Sequence, residues 1–199
     1  MRLHGRRNPF VAQEGLPWII AAFVAVMILI RFYDPILALI PGTLIVLFFV
    51  LFRDPLRTVP SVALGVFSPV DGEVLEVGRV DRGDSGASAL RVLIKIDSLG
   101  TYTARAPVEG TIRDLGKRAL MIQTDEGHDV VLKFSGYRFG LPPKSLARFG
   151  ERLGQGQRCA FLRLTRLAEV QFPDGGKILV EAGQTVVAGT DVIGNLSKP

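Results

Sequence analysis

Few residues in this chain are equipped for chemistry, and their spacing narrows what that chemistry is. There are two histidines, His4 and His128, and one cysteine, Cys159. They form no recognisable ligand set, so no metal centre is expected. The single cysteine makes no internal disulfide, which suits a reducing compartment. His128 sits in the polar turn Asp125-Glu126-Gly127-His128-Asp129. It is either a solvated turn residue or a base serving a site elsewhere. The acids are more telling. Pro69-Val70-Asp71-Gly72 is echoed 38 residues later by Pro107-Val108-Glu109-Gly110, and each is followed by strand-like sequence. Asp is a good turn residue on its own account, and the echo at Glu109 favours a structural part for Asp71.

Those turns need strands to carry them. After Pro60, glycines recur at short intervals between runs rich in Val, Ile and Leu. Strands are expected at 72–80, 89–96, 110–116, 119–124, 129–136, 159–164, 168–173 and 177–183. Residues 144–151 read as one short helical turn. Very short strands between glycine turns are expected in Val180–Gly194. Residues 61–199 are enough for one domain. The repeated turn suggests two similar half-motifs packed face to face, a small barrel-sandwich of the biotinyl and lipoyl type. A carrier of that type needs a lysine at a hairpin tip. Neither Asp71-Gly72 nor Glu109-Gly110 has one beside it, so carrier activity is not expected.

The strand domain is preceded by two uncharged runs, residues 16–30 and 36–52, joined by Arg31-Phe32-Tyr33-Asp34-Pro35. Seventeen helical residues rise about 26 Å, near the short limit for crossing a hydrocarbon core of roughly 30 Å. The reading is a two-helix transmembrane hairpin, with a re-entrant or surface-lying hairpin as the alternative. Tyr33-Asp34-Pro35 makes the turn, and Pro41-Gly42 is expected to kink the second helix. Residues 1–15 form a basic segment, 16–52 the hairpin and 53–60 a juxtamembrane linker. Arg2, Arg6 and Arg7 precede the first run, and Arg53 and Arg57 follow the second. The positive-inside rule then puts both ends in the cytoplasm, with the β domain facing it from the inner membrane. The net charge of +5, from 24 Lys+Arg against 19 Asp+Glu, is scattered. That argues against nucleic acid and for anionic lipid headgroups as the partner of Arg53 and Arg57.

Five segments, read together, resemble the phosphatidylserine decarboxylases, in particular the short form with a membrane hairpin. They are Phe48–Pro60 (FFVLFRDPLRTVP), Phe67–Val74 (FSPVDGEV), Tyr102–Ile112 (YTARAPVEGTI), Gly156–Pro173 (GQRCAFLRLTRLAEVQFP) and Val180–Gly194 (VEAGQTVVAGTDVIG). The resemblance runs in order over nearly the whole chain. It implies an enzyme that cleaves its own chain before a serine. That serine becomes a pyruvoyl group, which decarboxylates phosphatidylserine to phosphatidylethanolamine with help from a histidine and an aspartate.

Carried over residue by residue, the family aspartate falls on Asp71 and the family histidine on Tyr102. Tyrosine, with a reference pKa of about 10, is no base near pH 7. The family Gly-Ser pair falls on Thr165-Arg166. With a one-residue deletion, Thr165 stands for the serine and Leu164 brings a Cβ where glycine was used. Arg105 is expected either to hold a phosphate or to pair with an acid such as Asp71. The first functional expectation is therefore a catalytically silent relative that binds a lipid headgroup, a partner enzyme of phospholipid synthesis or a second copy of itself, with no pyruvoyl cofactor. The second is an active decarboxylase with a divergent self-processing site at Thr165.

Overall fold

The computed structural model describes residues 11–55, 57–98, 100–115, 119–137 and 141–197. They divide between Leu56 and Arg57 into a helical unit and a β unit. The basic residues Arg2, Arg6 and Arg7, and His4, lie outside the described residues.

In the helical unit, α1 runs Leu16–Phe32 and α2 runs Leu39–Phe52. Pro17 falls in the first turn of α1, where its missing N–H has no intrahelical partner to lose. Between the helices, the Asp34 carboxylate accepts the Ile36 N–H at 2.9 Å and caps a 3-10 turn, Pro35–Ala38, opened by Pro35. Pro41 also falls in a first helical turn, so α2 continues unbroken from Leu39 to Phe52. Gly15 lets the two helices meet, since a Cβ there would stand 2.2 Å from Phe52 Cγ. Trp18 and Phe48 add an aromatic contact at 6.4 Å. Trp18, Phe23, Phe32, Ile36 and Val46 all project outward. Water does not tolerate so much contiguous apolar surface. Residues Pro35–Phe52 are long and apolar enough to cross a bilayer, with a mean hydropathy of 2.6, while α1 falls short at 17 residues.

The β unit is built from short strands. They are β1 (Gly65–Phe67), β2 (Gly72–Val80), β3 (Ala89–Ile96), β4 (Thr103–Arg105), β5 (Gly110–Leu115), β6 (Ala119–Gln123) and β7 (Asp129–Tyr137), followed by β8 (Lys144–Ser145), β9 (Arg152–Leu153), β10 (Arg158–Phe161), β11 (Thr165–Pro173), β12 (Lys177–Ile178), β13 (Thr185–Val186) and β14 (Val192–Asn195). A large sheet has the order β13-β2-β3-β11-β7-β6-β5-β9, and two small sheets have the orders β1-β14-β12 and β4-β10-β8. Every pairing is antiparallel. Val66, Phe67, Val74, Ile94, Ile112, Ile122, Leu132 and Phe172 fill the space between.

The echoed turn is the visible part of a duplication that runs through this unit. Phe67 N–H donates to Pro107 O and Arg105 N–H to Pro69 O, each at 2.8 Å. Gly189 N–H donates to Ser68 O, and Gly156 N–H to Ala106 O. Leu196 N–H reaches Leu64 O, and Leu162 N–H reaches Tyr102 O, both at 2.8 Å. Even the bulges correspond, one between Val74 and Glu76, the other between Ile112 and Asp114. Two half-motifs thus close on each other with reciprocal bonds about a local two-fold relation.

Several expectations need correction. Residues 144–151 contain no helical turn. Pro142-Pro143 holds the chain extended, Lys144 and Ser145 pair with β10, and Gly150 turns the chain at φ 75°. The strand expected at 159–164 stops at Phe161, because Arg163 and Leu164 adopt φ 46° and 67°. The strand expected at 177–183 is only Lys177–Ile178. Arg57 and Val59 group with the β unit, where Val59 packs on Gly156.

Candidate functional site

Asp71 ends the first echoed turn, and Gly72 beside it starts β2. Its carboxylate is held from three directions. Oδ2 accepts Arg57 Nη2 at 2.7 Å, Thr101 Oγ1 at 2.9 Å and Thr101 N–H at 3.3 Å, and Oδ1 accepts the Ala188 N–H at 2.8 Å. Four donors converge on the two oxygens, three on Oδ2 and one on Oδ1. The group ties the start of the unit, the entry to β4 and the segment after β13 to one turn. The acid partner suggested for Arg105 is thus taken by Arg57, 14 residues before Asp71.

Tyr102 and Thr165 are 63 residues apart in sequence, and the fold brings them to one cavity. It is lined by Ile96, Asp97, Ser98, Tyr102, Leu164, Thr165 and Arg166 and measures about 30 Å³, which is space for one or two waters. The Tyr102 hydroxyl donates to Ser98 O at 2.8 Å. Thr165 N–H donates to Leu162 O at 3.0 Å, and its hydroxyl turns back to the same carbonyl. Both hydroxyls are therefore committed to the main chain. The peptide preceding Thr165 is bent by the left-handed conformations of Arg163 and Leu164, unusual for residues with a Cβ.

The three arginines expected at a phosphate do not converge. Arg53 is exposed and caps the end of α2. Arg57 holds Asp71. Arg105 is 1 % exposed, and its guanidinium donates to Gly156 O at 3.1 Å. A side chain so enclosed reaches no headgroup, and the geometry makes Arg105 a brace between the half-motifs. His128 lies across the unit, with its N–H on Thr124 Oγ1 at 3.2 Å and Nε2 3.0 Å from Ser197 O. It does not line the Tyr102–Thr165 cavity. Cys159 is fully buried, and burial pushes its thiol up to about 12 against a smaller opposing pull from Arg105. No cluster of His, Cys, Asp and Glu able to hold a metal occurs among the described residues.

A larger cavity of about 270 Å³ occupies the corresponding place in the other half, with Leu64 where Tyr102 stands and Leu196 where Leu162 stands. Its rim acids Glu109 and Asp125 share Arg152, at 2.9 and 2.6 Å. The side-chain hydrogen bonds from Arg152 to Asp125 and Glu109, helped by their charge, hold the guanidinium above its usual range.

No protein-family model matches the chain. Full-length similarity to curated proteins is nevertheless clear. The phosphatidylserine decarboxylase proenzyme of Nitrosomonas europaea is 33% identical over 209 residues, covering 94% of this chain and 95% of the relative. The chain belongs to the phosphatidylserine decarboxylase family. The proenzymes of Nitrosomonas eutropha and Symbiobacterium thermophilum are each 30% identical, covering 94% and 96% of the chain. Among solved structures, the glucose permease IIA from Mycoplasma capricolum covers 66% of the chain at 20% identity with a TM-score of 0.48, too distant to bear on function.

Membership in the decarboxylase family raises the question of the pyruvoyl group. The residues present do not fit it. Neither Gly-Ser nor a histidine stands at the positions the resemblance assigns to them, and the Thr165 hydroxyl is bonded to Leu162 O. Arg57, Thr101, Ser98 and Ala188 were not legible as partners. The only sequence signal was the position of Arg57 in the FRDP-x-R segment.

Proposed function

We propose that this chain is a membrane-anchored member of the phosphatidylserine decarboxylase family with a silent chemical centre, which serves phospholipid metabolism by binding a lipid headgroup or a partner enzyme. The observation carrying this reading is the commitment of Asp71, Tyr102 and Thr165 to internal bonds. Four donors hold the carboxylate in a structural role, three on Oδ2 and one on Oδ1, and a tyrosine held on Ser98 O supplies no base in its stead. The helical unit is read as a two-span anchor with both ends cytoplasmic.

A second reading, an active decarboxylase self-processing at Thr165, is favoured by one observation. Leu164 adopts φ 67°, the conformation a glycine would supply before a self-cleaving residue. Intact mass of the full chain purified from membranes decides between them. The silent reading expects one species of 21.7 kDa, unlabelled by a carbonyl-reactive probe. Cleavage before Thr165 releases a C-terminal fragment of 35 residues. A reactive carbonyl on that fragment overturns the silent reading.

A further inference from the structure

We propose that the strip from Leu141 to Gly150, together with Arg163 and Arg166, is the face by which the β unit lies on an anionic bilayer. The strip reads Leu-Pro-Pro-Lys-Ser-Leu-Ala-Arg-Phe-Gly and holds no acid. Phe149 is 71 % exposed and Leu141 47 %. Lys144, Arg148, Arg163 and Arg166 are all exposed, and none of the four makes an ion pair among the described residues. Arg57, Arg79, Arg91, Lys133 and Arg152 are paired, while Arg82, Lys95 and Lys177, exposed and without an ion pair among the described residues, are not joined by an exposed aromatic in their own strip.

The strand register brings these groups to one place. Lys144 lies opposite Phe161, Ser145 opposite Ala160, and Leu146 N–H donates to Cys159 O at 2.9 Å. Lys144 is thus paired two residues before Arg163, and Leu164 and Arg166 line the Tyr102–Thr165 cavity. Asp97 is the one carboxylate on that lining. The Glu151 carboxylate accepts the Arg148 N–H at 2.9 Å. An aromatic and a leucine between cations is the chemistry of a membrane interface. The apolar groups enter the headgroup level and the cations meet phosphates.

A bilayer is the occupant argued for because the same chain carries α2, long and apolar enough to span one. Only residues 53–56 separate the end of α2 from the β unit, and four residues reach at most about 14 Å. The inference rests on the membrane reading of α2 and is independent of whether the centre is active. It therefore fails or survives separately from the mass measurement.

The test uses the full chain in nanodiscs of phosphatidylcholine, with or without phosphatidylglycerol, doped with lipid carrying a headgroup nitroxide. A thiol-linked fluorophore is placed by Leu141→Cys or, as control, by Ser85→Cys in the β2–β3 hairpin. Cys159, fully buried, does not compete for label. The nitroxide should quench the probe at 141 far more than at 85, and more with phosphatidylglycerol present. Adding Lys144→Gln and Arg148→Gln should lower the lipid-contacting population roughly fivefold per cation. Equal quenching at 141 and 85 overturns the proposal. So does a probe at 141 shielded from aqueous iodide yet untouched by the nitroxide, which would place a second copy of the chain there instead.

Discussion

Arg57 and Asp71 lie 2.7 Å apart and join the segment leaving the helical unit to the turn that opens β2. Both are largely enclosed, with side chains 22% and 14% exposed. Asp71→Asn keeps the shape and removes the charge that four donors converge on. It should destabilise the β unit by about 1–3 kcal/mol, as should Arg57→Gln. The double variant should lose less than the sum, with a coupling of about 0.5–3 kcal/mol. Thermal unfolding of the purified chain measures all three. If Asp71→Asn melts with the parent, the carboxylate is no structural tie.

Gly72 and Gly110 are equivalent points in the two half-motifs. A Cβ at Gly72 would stand 2.0 Å from Lys95 O, and one at Gly110 would stand 2.3 Å from Gln123 O. Backbone carbonyls in a ladder cannot give way cheaply, so Gly72→Ala and Gly110→Ala should each cost about 3 kcal/mol or prevent folding. Gly78, in the same strand as Gly72 with nothing within 4 Å, is the control. Gly78→Ala should fold normally. Equal yields of folded protein from all three variants would contradict this geometry.

Arg163 is exposed and holds φ 46°. A glycine there relieves the Cβ clash of the left-handed conformation without removing core packing. Arg163→Gly should stabilise the β unit by about 0.5–1 kcal/mol against denaturant, while the chain stays intact. A destabilised variant would show that the arginine makes contacts outweighing the strain.

Cys159 has its thiol pushed up to about 12 by burial. The folded state therefore holds its proton more tightly than the unfolded chain, whose thiol titrates near 8.5. This contribution to stability is complete below that value and is lost as pH rises from about 8.5 toward 12. Native protein at pH 8 should resist maleimide, reacting only after denaturation. Rapid labelling of the native chain would place Cys159 at the surface.

Reporter fusions after residue 15 and after residue 60 address the two-span reading. Both should report cytoplasm. An external signal from the second fusion alone would leave one crossing.

Much of the fold was legible because strand periodicity and turn chemistry are local. Residues 72–80 and 89–96 were readable to the residue, since alternating Val and Ile between Gly and Asp leave little choice. The echoed Pro-Val-acid-Gly turn disclosed the duplication, because a close backbone approach demands glycine at both copies. The site was legible only in outline. Family correspondence named Tyr102 and Thr165, and the fold joined them. The bonds of Asp71 were not legible, because Arg57, Thr101 and Ala188 come from three separate stretches and nothing local marks them. The burial of Arg105 was hidden for the same reason. A charged residue is expected at a surface, and only the packing of two half-motifs gives it a buried carbonyl to hold.

The two-fold relation bears on what the scaffold requires of such a centre. In one half stand Asp71 and Tyr102, the positions to which the family resemblance assigns an acid and a base. In the other, Glu109 and Leu64 stand at the corresponding points, and that half closes with the same main-chain bonds, the same bulge and the same glycine contact. The scaffold thus contains its own control experiment, a copy of the architecture that stands without any reactive set. Chemistry in such a scaffold is a lodger in one of two equal rooms, and the walls stand by bonds that owe it nothing.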